Sequence, residues 1–148
     1  LPWMVGRFTY ESTVDKEVYF SHVKKDINWC TEKQVEYVPC IYPGFSWGNL
    51  SKVEFKGKFD YNQFPRYKGD FYWNQIYYSI KAGAPMLNIA MFDEIDEGTD
   101  IFKCTNTPPV NSKFIDYEGL PSDYYLKLTG KAGKILKKEI PLDIDRKE

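Results

Sequence analysis

Apolar and polar positions along the chain repeat one pattern three times. Trp3-Met-Val-Gly-Arg-Phe8 reads as a short first strand, followed by a loop from Tyr10 to Thr13. Val14, Val18, Val23, Ile27 and Cys30 then recur at helical spacing and predict a helix over 14–34, with Asp15, Lys16, Lys24, Lys25 and Glu32 on its wet side. Residues 36–42, rich in β-formers, predict a second strand. Pro39 has no amide for a ladder, which puts it near an end, a bulge or an edge. Trp73, Ile76, Tyr77 and Ile80 mark a second helix over 69–82, stopped by Gly83 and Pro85. Met86 to Phe92 is apolar almost without interruption, the pattern of a parallel strand buried on both faces. A last helix is expected over 122–139, with Ser122 as N-cap and Lys134, Lys137 and Lys138 near its end.

Strands alternating with amphipathic helices predict an α/β fold built from right-handed crossovers onto a parallel sheet. Immediately after the third strand the chain switches to Asp93, Glu94, Asp96, Glu97 and Asp100. Carboxylates so close together repel one another, so local stability gives no reason for them. The loop past the carboxyl end of a strand is where α/β proteins place their chemistry. A second loop, Pro43 to Asn49, carries Phe45 and Trp47 amid turn residues, and both aromatics are expected to be exposed. Between Leu50 and Lys68 charged and aromatic residues alternate, and Val53, Phe55, Phe59 and Tyr61 suggest a small hairpin or an irregular excursion.

Composition narrows the chemistry. At 148 residues the chain is one domain in size, and a formal charge of −1 with 43% hydrophobic residues gives neither a nucleic-acid binder nor a membrane-surface protein. No apolar run approaches the roughly 20 residues that span a bilayer. Leu1 to Arg7 lacks the basic start and sustained apolar stretch of a signal peptide, and the chain reads as opening within a fold. Three well-separated cysteines and the single His22 offer no disulfide framework and no metal cluster, so neither metal nor cofactor is expected. Cys30 and Cys40 read as small buried hydrophobes, and Trp29 and Trp73 as helix packing. Aromatic residues reach 18%, including 12 Tyr and 4 Trp. Such rings stack on sugars or bases, and without a basic excess sugars are the better fit.

Four ordered segments then point to a family. They are Trp3 with Val5-Gly6-Arg7, Pro43 to Trp47 with Asn49, Pro65-Arg66 with Gly69, Phe71, Trp73 and Gln75, and Ala90 to Lys103. Together they resemble the carboxyl-terminal half of bacterial glycoside hydrolase family 71/99-like proteins. The segment Phe92-Asp-Glu-Ile-Asp-Glu-Gly-Thr-Asp-Ile101 also resembles the Phe-Asn-Glu-Trp-His-Glu-Gly-Thr-x-Ile segment of the endo-α-mannosidase family. The resemblance implies a (β/α)8 TIM-type barrel of which the last three or so βα units are present, completed by a missing amino-terminal part. It implies secretion or export to the periplasm and an α-linked glycan or polysaccharide as substrate. Glu94 falls on the base that draws the proton from the sugar 2-hydroxyl, and Glu97 on the residue that protonates the leaving oxygen and then activates water. Asp93, Ile95 and Asp96 depart from the Asn, Trp and His of the endo-α-mannosidases.

Bland readings stand beside these. Glu94 and Glu97 are also compatible with plain solvated loop carboxylates, and Asp93, Asp96 and Asp100 with a calcium site, although the spacing is not that of a calcium-binding helical loop. Trp47 and Phe45 are a sugar platform or a lid over the sheet. Arg7 binds substrate or pins a barrel carboxylate, and Arg66 reads as a loop anchor. Three function classes follow: a glycoside hydrolase with Asp93, Asp96, Trp47, Phe45 and Arg7 as substrate contacts, a carbohydrate-binding remnant that keeps the aromatic loops without turnover, and a structural half-barrel.

Overall fold

A computed structural model of the chain describes residues 1–7, 9–10, 13–51, 61–109 and 113–146. In chain order the elements are β1 (Thr9–Tyr10), β2 (Thr13–Val14), α1 (Lys16–Glu32), β3 (Cys40–Ile41), α2 (Asp70–Ala82), β4 (Asn88–Ile89) and α3 (Tyr124–Leu136). A 3-10 turn over Tyr67–Gly69 leads into α2.

The pairing that positions the site is parallel, with Cys40 opposite Asn88 and Ile41 opposite Ile89. Asn88 N–H donates to Pro39 C=O and Ala90 N–H to Ile41 C=O, both at 2.9 Å. The expected neighbours, 36–42 and 86–92, are therefore parallel, over a shorter ladder than the sequence suggests. Pro39 lies just outside β3, where its missing amide costs no ladder bond. Beyond Ile41 a side chain replaces the partner strand: Tyr42 N–H donates to Gln75 Oε1 at 3.3 Å, and Gln75 Nε2 donates to Tyr42 C=O at 2.8 Å. The first expected strand, over 3–8, is not there among its described residues. Arg7 N–H donates to Met4 C=O at 3.0 Å and Gly6 has φ 78°, so residues 3–7 turn instead of extending. Phe8 lies outside the described residues. β1 and β2 form an antiparallel pair in its place, Thr9 opposite Val14 and Tyr10 opposite Thr13.

β3 is covered on both faces, as expected of a parallel strand. Cys40 and Tyr42 pack into one apolar cluster with Met4, Tyr19, Val23 and Phe71, whereas Ile41 packs into a second with Trp73, Ile76, Tyr125 and Leu128. This is the alternation of side chains along a strand. β4 differs from expectation: Asn88 and Ile89 are only half-buried, and Met86 and Phe92 are exposed. Among the described residues β3 is its single strand partner.

The helices follow their patterns closely. Asp15 caps α1, its carboxylate accepting from Val18 N–H at 3.1 Å, and α1 packs against α2. Trp29 is 59% exposed, contrary to the packing role its position on the helix suggested. α2 lies between Gly69 at φ 89° and Gly83 at φ 103°, left-handed positions that suit glycine. α3 starts two residues later than expected. Asp123, not Ser122, holds the N-cap position, and its carboxylate pairs with Lys127 at 3.0 Å. None of the helices among the described residues is long and apolar enough to cross a membrane. The hairpin expected around Val53, Phe55 and Phe59 lies outside the described residues.

Ile76, fully buried on α2, joins β3 to α3 through the second cluster. Truncation there removes packed methyl groups from a site held on several sides. Ile76→Ala is expected to destabilise the protein by about 2–5 kcal/mol, read as a lower urea midpoint with unchanged slope.

Candidate functional site

The chain leaves β4 through a cis Ala90–Met91 peptide and enters a closed loop. Met91 N–H donates to Thr99 C=O at 3.0 Å, and Ile101 and Phe102 N–H both donate to Phe92 C=O at 3.0 Å. Inside this ring Thr99 N–H donates to Glu94 C=O at 3.2 Å and Gly98 N–H to Ile95 C=O at 3.0 Å. Gly98 sits at φ 64°, and a Cβ there would stand 3.0 Å from Ile115 Cγ1. The left-handed conformation favours glycine in the Glu-Gly-Thr step, and Ile115 leaves little room for a Cβ there.

The loop sorts its carboxylates. Asp93 and Asp96 are exposed, Glu94 and Glu97 are half-buried, and Asp100 is fully buried. The second loop meets the first directly, since Ser46 N–H donates to Glu97 C=O at 2.7 Å. Trp47 N–H donates to Gln63 Oε1 at 2.7 Å, and its half-buried ring stands edge-on to Phe45 with centroids 4.9 Å apart. Phe45 itself is 4% exposed, so the expected exposed pair is one half-buried indole backed by a core phenyl ring. Arg7 is exposed within the amino-terminal turn, where its C=O accepts from Tyr42 Oη at 3.2 Å. The fold thus joins the Glu94–Glu97 loop to the Phe45–Trp47 loop, and places Arg7 in a turn, not at a strand end.

Beneath the acidic loop lies a buried ionic group that the sequence suggests only faintly. Arg66 and Asp100 have no exposed side-chain surface and pair at 2.8 Å. Arg66 Nη1 also donates to Asp100 C=O at 2.9 Å. The guanidinium lies over the Tyr117 and Tyr125 rings, 4.8 and 4.6 Å from their centroids. Tyr117 Oη donates to Asp100 Oδ2 at 2.7 Å. Burial, and then the adjacent Asp100 carboxylate, hold the Tyr117 hydroxyl well above the ordinary tyrosine range, so it stays a donor. Arg66 is the loop anchor expected of it. Asp100 is committed to Arg66, away from any calcium site, and no three His, Cys, Asp or Glu side chains among the described residues are grouped to hold a metal ion.

A cavity of about 290 Å³ opens beside the loop, lined by Ile95, Cys104, Pro108, Phe114 and Ile115. Burial pushes the Cys104 thiol up, which leaves it protonated and a poor nucleophile. A larger cavity of about 760 Å³ lies between α3 and the carboxyl-terminal segment, lined by none of the acidic loop.

The sequence profile of glycosyl hydrolase family 99 matches residues 4–138, which include both loops and the buried pair beneath them. The chain belongs to glycosyl hydrolase family 99. Among solved structures it is similar to the family 99 endo-alpha-mannosidase from Bacteroides thetaiotaomicron, with TM-score 0.67 and 22% identity over 89% of this chain. Two structures of that enzyme match, one of them in complex with BIS-TRIS-propane, and this chain covers 40% and 38% of their chains. The similarity fixes the fold as α/β of that enzyme's type, over somewhat under half its length. Among curated proteins none matches significantly. Membership of family 99 agrees with the resemblance seen in the four sequence segments.

Proposed function

We propose that this family 99 chain is the part of an α-glycan-cleaving hydrolase that carries its acid and base, Glu94 and Glu97. The observation that carries the reading is the closed loop at the carboxyl end of β4, with both glutamates half-buried and tied to the Trp47 loop through Glu97 C=O. In this mechanism Glu94 takes the proton of the sugar 2-hydroxyl while that oxygen attacks its own anomeric carbon. The glycosidic bond breaks, and the leaving oxygen takes a proton from Glu97. Glu97 then deprotonates a water that opens the 1,2-anhydro ring, and the 2-oxygen recovers its proton from Glu94. Two inversions give net retention. Trp47 offers an apolar face to the sugar, while Asp93, Asp96 and Arg7 offer polar contacts at the exposed rim.

The solved relative is named an endo-alpha-mannosidase, and an α-mannoside is the first substrate to test. Further βα units completing the barrel are part of this reading, supported by the single strand partner of β4 among the described residues and by the exposed Met86 and Phe92 on either side of it. So is secretion or export to the periplasm. The test is incubation of the full-length protein with α-mannooligosaccharides, followed by NMR of the first product. Release of oligosaccharides with the α-configuration supports the proposal. An inverted product overturns the 2-hydroxyl mechanism, and binding without turnover assigns the protein to carbohydrate binding.

A further inference from the structure

The Arg66–Asp100 pair is built in a way that stability alone does not explain. Burying two charges costs several kcal/mol per ion, and apolar residues of similar volume commonly serve a core as well or better. Both side chains of this pair are wholly buried, so the cost applies here. What the pair does provide is geometry. Arg66 grips both the main-chain carbonyl and the carboxylate of Asp100, and Tyr117 takes the second carboxylate oxygen. The flat guanidinium packs against two tyrosine rings that themselves meet edge-on, with centroids 4.8 Å apart, a placement that lysine does not reproduce.

Asp100 is linked to both glutamates by a short, buried path. Thr99 and Gly98, the two residues before it, are buried, and Thr99 N–H holds Glu94 C=O. Glu97 follows next along the chain, its carbonyl held by Ser46. The stem of Arg66 reaches the second loop as well, since its Cγ lies 2.8 Å from where a Cβ on Gly44 would stand. One side chain therefore braces both loops of the site.

We propose that Arg66 is a positioning residue that, through Asp100, holds the loop bearing Glu94 and Glu97 in its reactive placement. This rests on Glu94 and Glu97 being the acid–base pair. The test uses the full-length protein, Arg66→Lys, and the double variant Arg66→Met with Asp100→Leu, which removes both charges together and so avoids an unpaired ion. Two readouts are taken on folded protein: kcat and KM on an α-mannooligosaccharide, and hydrogen exchange at the amides of Thr99, Ile101 and Phe102 against those of Tyr19 and Val23 on α1. Both variants are expected to lose at least about tenfold in kcat with KM changed by less than about threefold, because misplaced acid–base groups slow chemistry more than binding. The loop amides should exchange faster while the α1 amides keep their protection. A double variant with wild-type kcat, or with loop amides as protected as before, overturns the proposal. If the wild-type protein turns over no α-linked glycan, the catalytic reading fails by itself, and the exchange comparison alone decides whether Arg66 fixes the loop.

Discussion

Glu97→Gln in the full-length protein is expected to lose about 10²- to 10⁴-fold in kcat/KM on natural α-linked oligosaccharides, the usual contribution of a positioned acid–base group. The fold should be unaffected. At Glu94 and Glu97 the main-chain carbonyls accept from Thr99 N–H and Ser46 N–H, and glutamine keeps both bonds. An activated aryl glycoside separates the two roles. A good leaving group departs without a proton, so the bond-breaking step of Glu97→Gln should recover with such a substrate. Glu94→Gln should not recover, because the 2-hydroxyl needs a base whatever leaves. Steady-state rates on both substrates, with circular dichroism to confirm folding, give the measurement. Full activity in the doubly substituted protein would remove both residues from the mechanism.

How much of this was legible in the sequence depends on the range of the interaction involved. α1 and α2 were readable because Val23 and Ile27, or Trp73, Ile76 and Ile80, repeat within one helix, and Gly69 and Gly83 mark the ends of the second. Parallel pairing of 36–42 with 86–92 was readable from their apolar character, but the length of the ladder was not. It stops where Gln75, 33 residues from Tyr42, takes over its backbone groups. The strand expected from Trp3 to Phe8 shows the opposite failure over its described residues, 3–7: an apolar run looks extended, while Gly6 with positive φ turns it. At the site, Glu94 and Glu97 stood out through local motif, and Trp47 through its turn context. Phe45 was misjudged as exposed because burial depends on neighbours such as Phe64, with which it forms an antiparallel bridge. The Arg66–Asp100 pair joins positions 34 apart, and the local acidic cluster disguised Asp100 as one more loop carboxylate.

The aromatic richness that first suggested sugars has a second consequence, which should appear as abrupt alkaline unfolding. Tyr19, Tyr37, Tyr72, Tyr117 and Tyr125 are all buried, and burial is the largest cause raising the ionisation of each well above the ordinary tyrosine range. Below about pH 10 these hydroxyls are neutral in folded and unfolded chains alike, and stability does not change with pH on their account. Above it the unfolded chain releases protons that the folded chain retains. A raised native pKa therefore contributes stability that is present at neutral pH and lost as pH rises. Each such tyrosine removes about 1.4 kcal/mol per pH unit, so five together remove about 7 kcal/mol per unit. Against a total of about 5–15 kcal/mol for a domain, that is enough to unfold the protein within about one to two units. The measurement is an alkaline titration following tyrosinate absorbance together with the helical circular dichroism signal. Exposed tyrosines should ionise first and gradually, and the buried group should follow in one cooperative step that coincides with loss of helix. Smooth ionisation of every tyrosine with the helices intact would show that these hydroxyls are not sealed in the core.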